Sequence, residues 1–146
     1  MENKLKLVCP DCLSVNRLPR ERLHDGPNCG KCQADLLPGS PIELTSENFA
    51  IFIEKTGLPV VVDFWASWCP PCRAMEPAFK EAASLLSPLV ILAKLSTEDS
   101  ADAAQPFNIQ GIPCLIGFQN NAEVGRQAGA LPADQIVSWV NSLPWT

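Results

Sequence analysis

Pro59-Val60-Val61-Val62-Asp63-Phe64-Trp65-Ala66-Ser67-Trp68-Cys69-Pro70-Pro71-Cys72 joins a β-branched and aromatic run to a Cys-x-x-Cys turn. The run 59–65 reads as a strand buried on both faces, as in parallel sheets. Pro71 suits the first turn of a helix, where its missing N–H has no helical partner. The segment is therefore read as a strand, a three-residue turn and a helix from near Cys69 to about Leu86. The first cysteine then sits at a helix N-terminus, where free N–H groups and the dipole favour a thiolate. Cys72, one turn further on, can close a disulfide and resolve a mixed one. Trp68 can cover the pair with its ring. A single Cys-x-x-Cys also suits half of a metal site. The leftover Cys114 and the one histidine, His24, make a poor second half for it.

Strand-like and helix-like segments alternate on either side. Pro41–Leu44 reads as a short strand. Thr45 or Ser46 can cap a helix through about Thr56, with Phe49, Phe52 and Ile53 on one face and Gly57 at its end. Leu89–Leu95 is a second buried strand, Ser100–Phe107 a helix and Cys114–Phe118 a strand. Asn120-Asn121 turns the chain into an antiparallel strand over 123–128. Pro132 opens a last helix through Ile136, Val137 and Val140. This order predicts an α/β sandwich with a mostly parallel centre.

Before Leu37-Pro38-Gly39-Ser40-Pro41 the texture differs. That stretch reads as a turn or linker and divides a module at 1–38 from a body at 39–146. The module carries six Lys/Arg and five Asp/Glu, the body five and eleven. An acidic body is a poor partner for phosphate backbones. Arg17, Arg20 and Arg22 leave a nucleic-acid contact open only for the module. The chain of 146 residues is 47% hydrophobic and 18% charged, as expected of a globular protein. No apolar run reaches membrane-span length. Met1–Lys6 lacks the apolar core of a secretion signal, which points to the cytoplasm.

Six of the seven cysteines form Cys-x-x-Cys pairs. Cys9/Cys12 and Cys29/Cys32 lie sixteen residues apart, the spacing of a four-cysteine zinc site. Four thiolates close the coordination shell, so such a zinc is structural. A segment this short lacks a core of its own, and metal would supply much of its folding free energy. Two disulfides are the alternative, disfavoured in a reducing compartment.

Val62–Arg73 resembles the active-site segment of thioredoxins. Pro77, Ala93-Lys94-Leu95, Gly111-Ile112-Pro113 and Gly129-Ala130-Leu131 come after it in that family's order and spacing, over residues 41 to about 143. The four-cysteine extension resembles that of the zinc-containing second thioredoxins of bacteria. The resemblance implies a thioredoxin fold, a central mixed sheet flanked by helices, with a small zinc-ribbon-like module ahead of it. It implies a protein dithiol–disulfide oxidoreductase acting on disulfide-bearing proteins and recharged by a flavin- and NADPH-dependent thioredoxin reductase. A monomer is expected.

The resemblance also implies roles. Cys69 attacks and Cys72 resolves. Asp63 is a buried carboxylate that helps deprotonate the second thiol, and Lys94 is its lysine partner. Trp68, Ile112, Pro113 and Gly129 form the docking surface, with Pro113 in the cis form, although X–Pro bonds are trans by default. Two positions depart from the family. Pro70 stands where glycine is common, which removes a donor and stiffens the turn; an oxidase- or isomerase-like variant therefore stays open. Cys114 replaces threonine and reads either as a small buried hydrophobe or as a third thiol near the pair.

Overall fold

The run 59–65 becomes the central strand of a five-stranded sheet in the computed structural model, which describes residues 4–146. Residues 1–3, the start of the segment read for a secretion signal, lie outside them. The sheet is built from β3 (Ile42–Leu44), β4 (Val60–Trp65), β5 (Ile91–Ser96), β6 (Cys114–Gln119) and β7 (Ala122–Ala128), in the order β3-β5-β4-β6-β7. Both β3 and β4 run parallel to β5, whereas β4–β6 and β6–β7 are antiparallel. The centre is therefore mixed rather than mostly parallel. Asn120 and Asn121 make the β6–β7 turn with φ of 55° and 60°, left-handed values that suit a tight hairpin.

Period-two alternation sends β4 side chains to two layers. Val60, Val62 and Phe64 pack with α1 (Phe49–Lys55). Val61 packs with Met75 and Phe79 of α2 (Pro70–Leu86) and with Ile136 and Val140 of α4 (Ala133–Ser142). The expected helix at 100–107 is shorter than one continuous α-helix. α3 spans Ala101–Ala104 and tightens into a 3-10 turn at Gln105–Phe107, where Pro106 removes a helical N–H. Asn48, not Thr45 or Ser46, is the N-cap of α1. The Thr45 hydroxyl instead accepts from Glu47 N–H at 3.2 Å and closes its own local turn. Pro132 sits at the N-cap of α4, just outside the helix.

The segment before β3 holds a hairpin, β1 (Lys4–Val8) and β2 (Val15–Pro19), followed by a 3-10 turn at Arg20–Asp25. The alternation Lys4-Leu5-Lys6-Leu7 carries that strand in the sequence. Leu5, Leu7, Leu18, Leu23 and Leu36 join the apolar cluster that contains Leu44, Phe49 and Phe52. Gly57 N–H donates to the Lys6 carbonyl at 2.7 Å, and a Cβ on Gly57 would lie 3.1 Å from that oxygen. The hairpin is thus seated on the α1 layer through a close backbone approach. Among the described residues no helix is long and apolar enough to cross a membrane.

Candidate active site and metal centre

Cys69 is the N-cap of α2, with extended backbone at φ −96° and ψ 106°. Pro70 and Pro71 fill the first two helical positions and bring no N–H. Cys72 is the first residue able to donate, and its N–H reaches the Cys69 sulfur at 3.3 Å. The two sulfurs are joined as a disulfide, with Cα atoms 5.3 Å apart. The Cys69 sulfur lies 3.7 Å from the Ile112 carbonyl oxygen. Both cysteines are buried, while Trp68 beside them is 66% exposed.

The loop between β4 and α2 is tied to the segment that follows β5. Ser67 donates its N–H and its hydroxyl to Glu98 at 2.9 and 2.5 Å, which draws the Glu98 carboxyl below its ordinary value. Thr97 N–H donates to the Trp65 carbonyl at 2.8 Å. Ser67 and Glu98 belong to no recognisable spacing, so the sequence alone does not single them out. An open groove of about 660 Å³ runs from Trp68 and Cys69 past Thr97 to Gln105, Asn108 and Ile112. None of its lining side chains carries a formal charge. The Ile112–Pro113 peptide is cis. Gly129, at φ +97°, donates its N–H to the Pro113 carbonyl at 2.8 Å.

Beneath the pair a second cavity of about 240 Å³ is lined by Asp63, Trp65, Cys72, Glu76, Lys94 and neighbours. Asp63 is 2% exposed and its Oδ1 has no hydrogen-bond partner. Burial pushes its carboxyl up to about 7; nearby Lys94 opposes this and nearby Glu76 adds to it. Lys94 is the parallel-register neighbour of Asp63. Its ion pair is nevertheless with Glu76, at 3.6 Å, and its ammonium lies 4.3 Å from the Trp65 ring centroid. Lys94 acts on Asp63 through charge without forming an ion pair with it. Glu76 lies in no motif of the sequence. Cys114 packs with Phe49 and Phe64 in the α1 layer and falls outside the cluster of Ala66, Cys69 and Cys72. That placement favours the small buried hydrophobe, and burial raises its thiol.

The other four cysteines meet at one point. All four sulfurs lie within 4.8 Å of one another, with Cys9–Cys32 at 3.5 Å and Cys12–Cys29 at 3.6 Å. Ligands about 2.3 Å from a tetrahedral zinc stand about 3.8 Å apart, so the cluster fits that ion. The two turns repeat each other. Cys9 N–H bonds Ser14 O and Leu13 N–H bonds Cys9 O; Cys29 N–H bonds Ala34 O and Gln33 N–H bonds Cys29 O. Leu13 and Gln33 occupy the same left-handed conformation, at φ 66° and 71°. Asp11 and Cys12 N–H point at the Cys9 sulfur and Lys31 N–H at the Cys29 sulfur, each at 3.4 Å. Such donors stabilise thiolates and orient metal ligands. Together with the cysteine cluster, they support zinc binding.

Of the basic group considered for nucleic acid, Arg22 pairs with Asp25 at 3.6 Å. His24 is exposed and is not part of the cysteine cluster.

A thioredoxin family model matches residues 40–142, and a model of the thioredoxin 2 N-terminal zinc ribbon matches residues 8–34. The chain is 42% identical over 135 residues to thioredoxin C-3 of Corynebacterium nephridii, covering 92% of both. It is 40% identical over 84 residues to thioredoxin 1 of Chlorobaculum tepidum, covering 58% of this chain and 83% of that one. It is 36% identical over 98 residues to the chloroplastic thioredoxin Y of Oryza sativa subsp. japonica, covering 67% and 58%. With its Cys-x-x-Cys turn on a mixed sheet and a four-cysteine ribbon ahead of it, this chain is a thiol–disulfide oxidoreductase of the thioredoxin family.

Proposed function

We propose that Cys69 is the nucleophile, Cys72 the resolving thiol and Asp63 the proton acceptor of a protein-disulfide reductase. The observation that carries this is the shared setting of Cys72 and Asp63 on one cavity, with Cys69 on the groove side. The Cys69 thiolate attacks one sulfur of a substrate disulfide, the S–S bond breaks, and the other sulfur leaves as a thiolate that takes a proton from water. Cys72 gives its proton to Asp63 and attacks the Cys69 sulfur of the mixed disulfide, and the second substrate sulfur leaves as a thiolate that takes the proton back from Asp63. The substrate gains two electrons and two protons, and the protein is left with the Cys69–Cys72 disulfide. A carboxyl held near 7 is half ionised at neutral pH, the range in which a general base is effective.

The substrate segment lies extended in the uncharged groove beside Trp68 and pairs with the Ile112 backbone before Pro113, next to Gly129. Lys94 acts on Asp63 through charge. A flavin- and NADPH-dependent reductase returns the pair to the dithiol. Zinc on Cys9, Cys12, Cys29 and Cys32 is structural, because four thiolates leave no open position. The protein works as a monomer, with residues 1–38 and 39–146 as its two modules, in a reducing compartment such as the cytoplasm, where ribbon thiols stay unoxidised.

Trapping tests the assignment. Cys72→Ser protein is expected to accumulate mixed disulfides with disulfide-bearing substrates such as insulin, visible by mass on non-reducing gels. Cys69→Ser protein is expected to form none and to lose insulin reduction. Adducts on Cys69→Ser protein would reverse the two roles.

A further inference from the structure

Lys94 stands among three acids. Glu43 of β3 and Asp63 of β4 flank it in register across the sheet, and Glu76 reaches it from α2. Only Glu76 comes within ion-pair distance, at 3.6 Å. The same lysine rests on the Trp65 ring and is 18% exposed at its side chain. Asp63, the most buried of the three acids, keeps an oxygen without any partner. A buried carboxylate beside a free ammonium would normally capture it, because the pair gains most where water is scarce. Here the ammonium is engaged elsewhere.

We propose that Glu76 is a positioning residue for the proton relay: it holds the Lys94 ammonium toward α2 and the Trp65 ring, so that Asp63 remains uncommitted and free to take the proton of Cys72. This rests on the reading of Asp63 as the proton acceptor. Glu76 touches neither cysteine in any hydrogen bond or ion pair and acts through Lys94. The charged and titratable groups facing the cavity are Cys72, Glu76 and Lys80 from α2, Glu43 from β3, Asp63 from β4 and Lys94 from β5. Lys80 makes no ion pair with Asp63, and Glu43 makes none with Lys94, among the described residues. The Glu76 side chain is 59% exposed, so Glu76→Gln is expected to leave the fold in place.

The titration of the Asp63 side-chain carboxyl, followed by carbon-detected NMR in the oxidised protein, tests this without turnover. Glu76→Gln is expected to lower the midpoint by about half a pH unit, the scale of a partly screened ion pair. Glu43→Gln is expected to move it less. In a Lys94→Met background the effect of Glu76→Gln is expected to shrink to under half, because only direct repulsion remains. An unmoved midpoint in Glu76→Gln overturns the proposal. So does an equal shift with and without Lys94, since Glu76 would then act on Asp63 alone. The underlying reading fails separately if Asp63→Asn protein resolves mixed disulfides at the wild-type rate.

Discussion

Cys9/Cys12, Cys29/Cys32 and Cys69/Cys72 share one spacing and meet different fates. In the ribbon, each second cysteine is succeeded by a left-handed residue, Leu13 or Gln33, that folds the chain back and bonds to the first cysteine's carbonyl. Two such turns face each other and gather four sulfurs. At Cys69 the intervening residues are two prolines, and the chain continues into seventeen residues of α2. The pair then faces a groove on one side and a buried carboxyl on the other. The spacing sets the reach between two sulfurs; the path of the backbone beyond the second cysteine sets their chemistry.

If the two regions are separate in chemistry, a crossed pair of variants will show it. Cys69→Ser is expected to bring insulin-disulfide reduction to background while zinc content, read with a colorimetric chelator, stays at one per chain. Cys29→Ser is expected to do the reverse, losing zinc and retaining reduction. A Cys29→Ser protein with no reductase activity would merge what the geometry separates.

The regions are nevertheless joined in stability. Removing zinc with a strong chelator is expected to lower the urea midpoint, since structural zinc contributes on the order of 10 kcal/mol to isolated zinc-finger peptides. Here the loss reaches the body because Leu5, Leu7 and Leu36 belong to the cluster that holds Phe49 and Phe52.

Asp63 gives a stability signature that the ribbon lacks. Its carboxyl rises from 3.8 to about 7, so the folded state keeps this proton over a range where the unfolded chain has lost it. Stability falls as pH climbs from about 4 to about 7 and levels off above. Asp63→Asn is expected to stabilise the protein by about 4 kcal/mol at pH 8 and by little at pH 4, as read by denaturant unfolding at both values. Equal midpoints at pH 8 would show the carboxyl to be solvated. The smallest effect belongs to the seam. Gly57→Ala places a Cβ 3.1 Å from the Lys6 carbonyl and is expected to cost about 1 kcal/mol. Faster hydrogen exchange in β1 would report it, with exchange in β4 unchanged.

Much of this was legible in the residues. The run 59–65, the prolines of the turn and the four-cysteine spacing each carry a local physical signature. The mixed centre was legible only through the family resemblance and not from the order of elements, because nothing in β6 marks its direction against β4. The short α3 was hidden in a helix-like composition interrupted by Pro106. The hairpin of the ribbon was visible as Lys4-Leu5-Lys6-Leu7, four residues of alternation overshadowed by cysteines. Glu76 was beyond reach: it is an ordinary helix-surface glutamate until the fold brings Lys94 beside it.

The Lys6–Gly57 bond and the leucines around it have a consequence in mass action. An ion that binds the folded ribbon and not the unfolded chain stabilises everything that unfolds with it, by RT ln(1 + [L]/Kd). For a ribbon sharing one apolar cluster with the oxidoreductase body, that is about 1.4 kcal/mol for each tenfold rise in free metal above Kd. The thermal endurance of the disulfide-handling body is thereby indexed to metal supply.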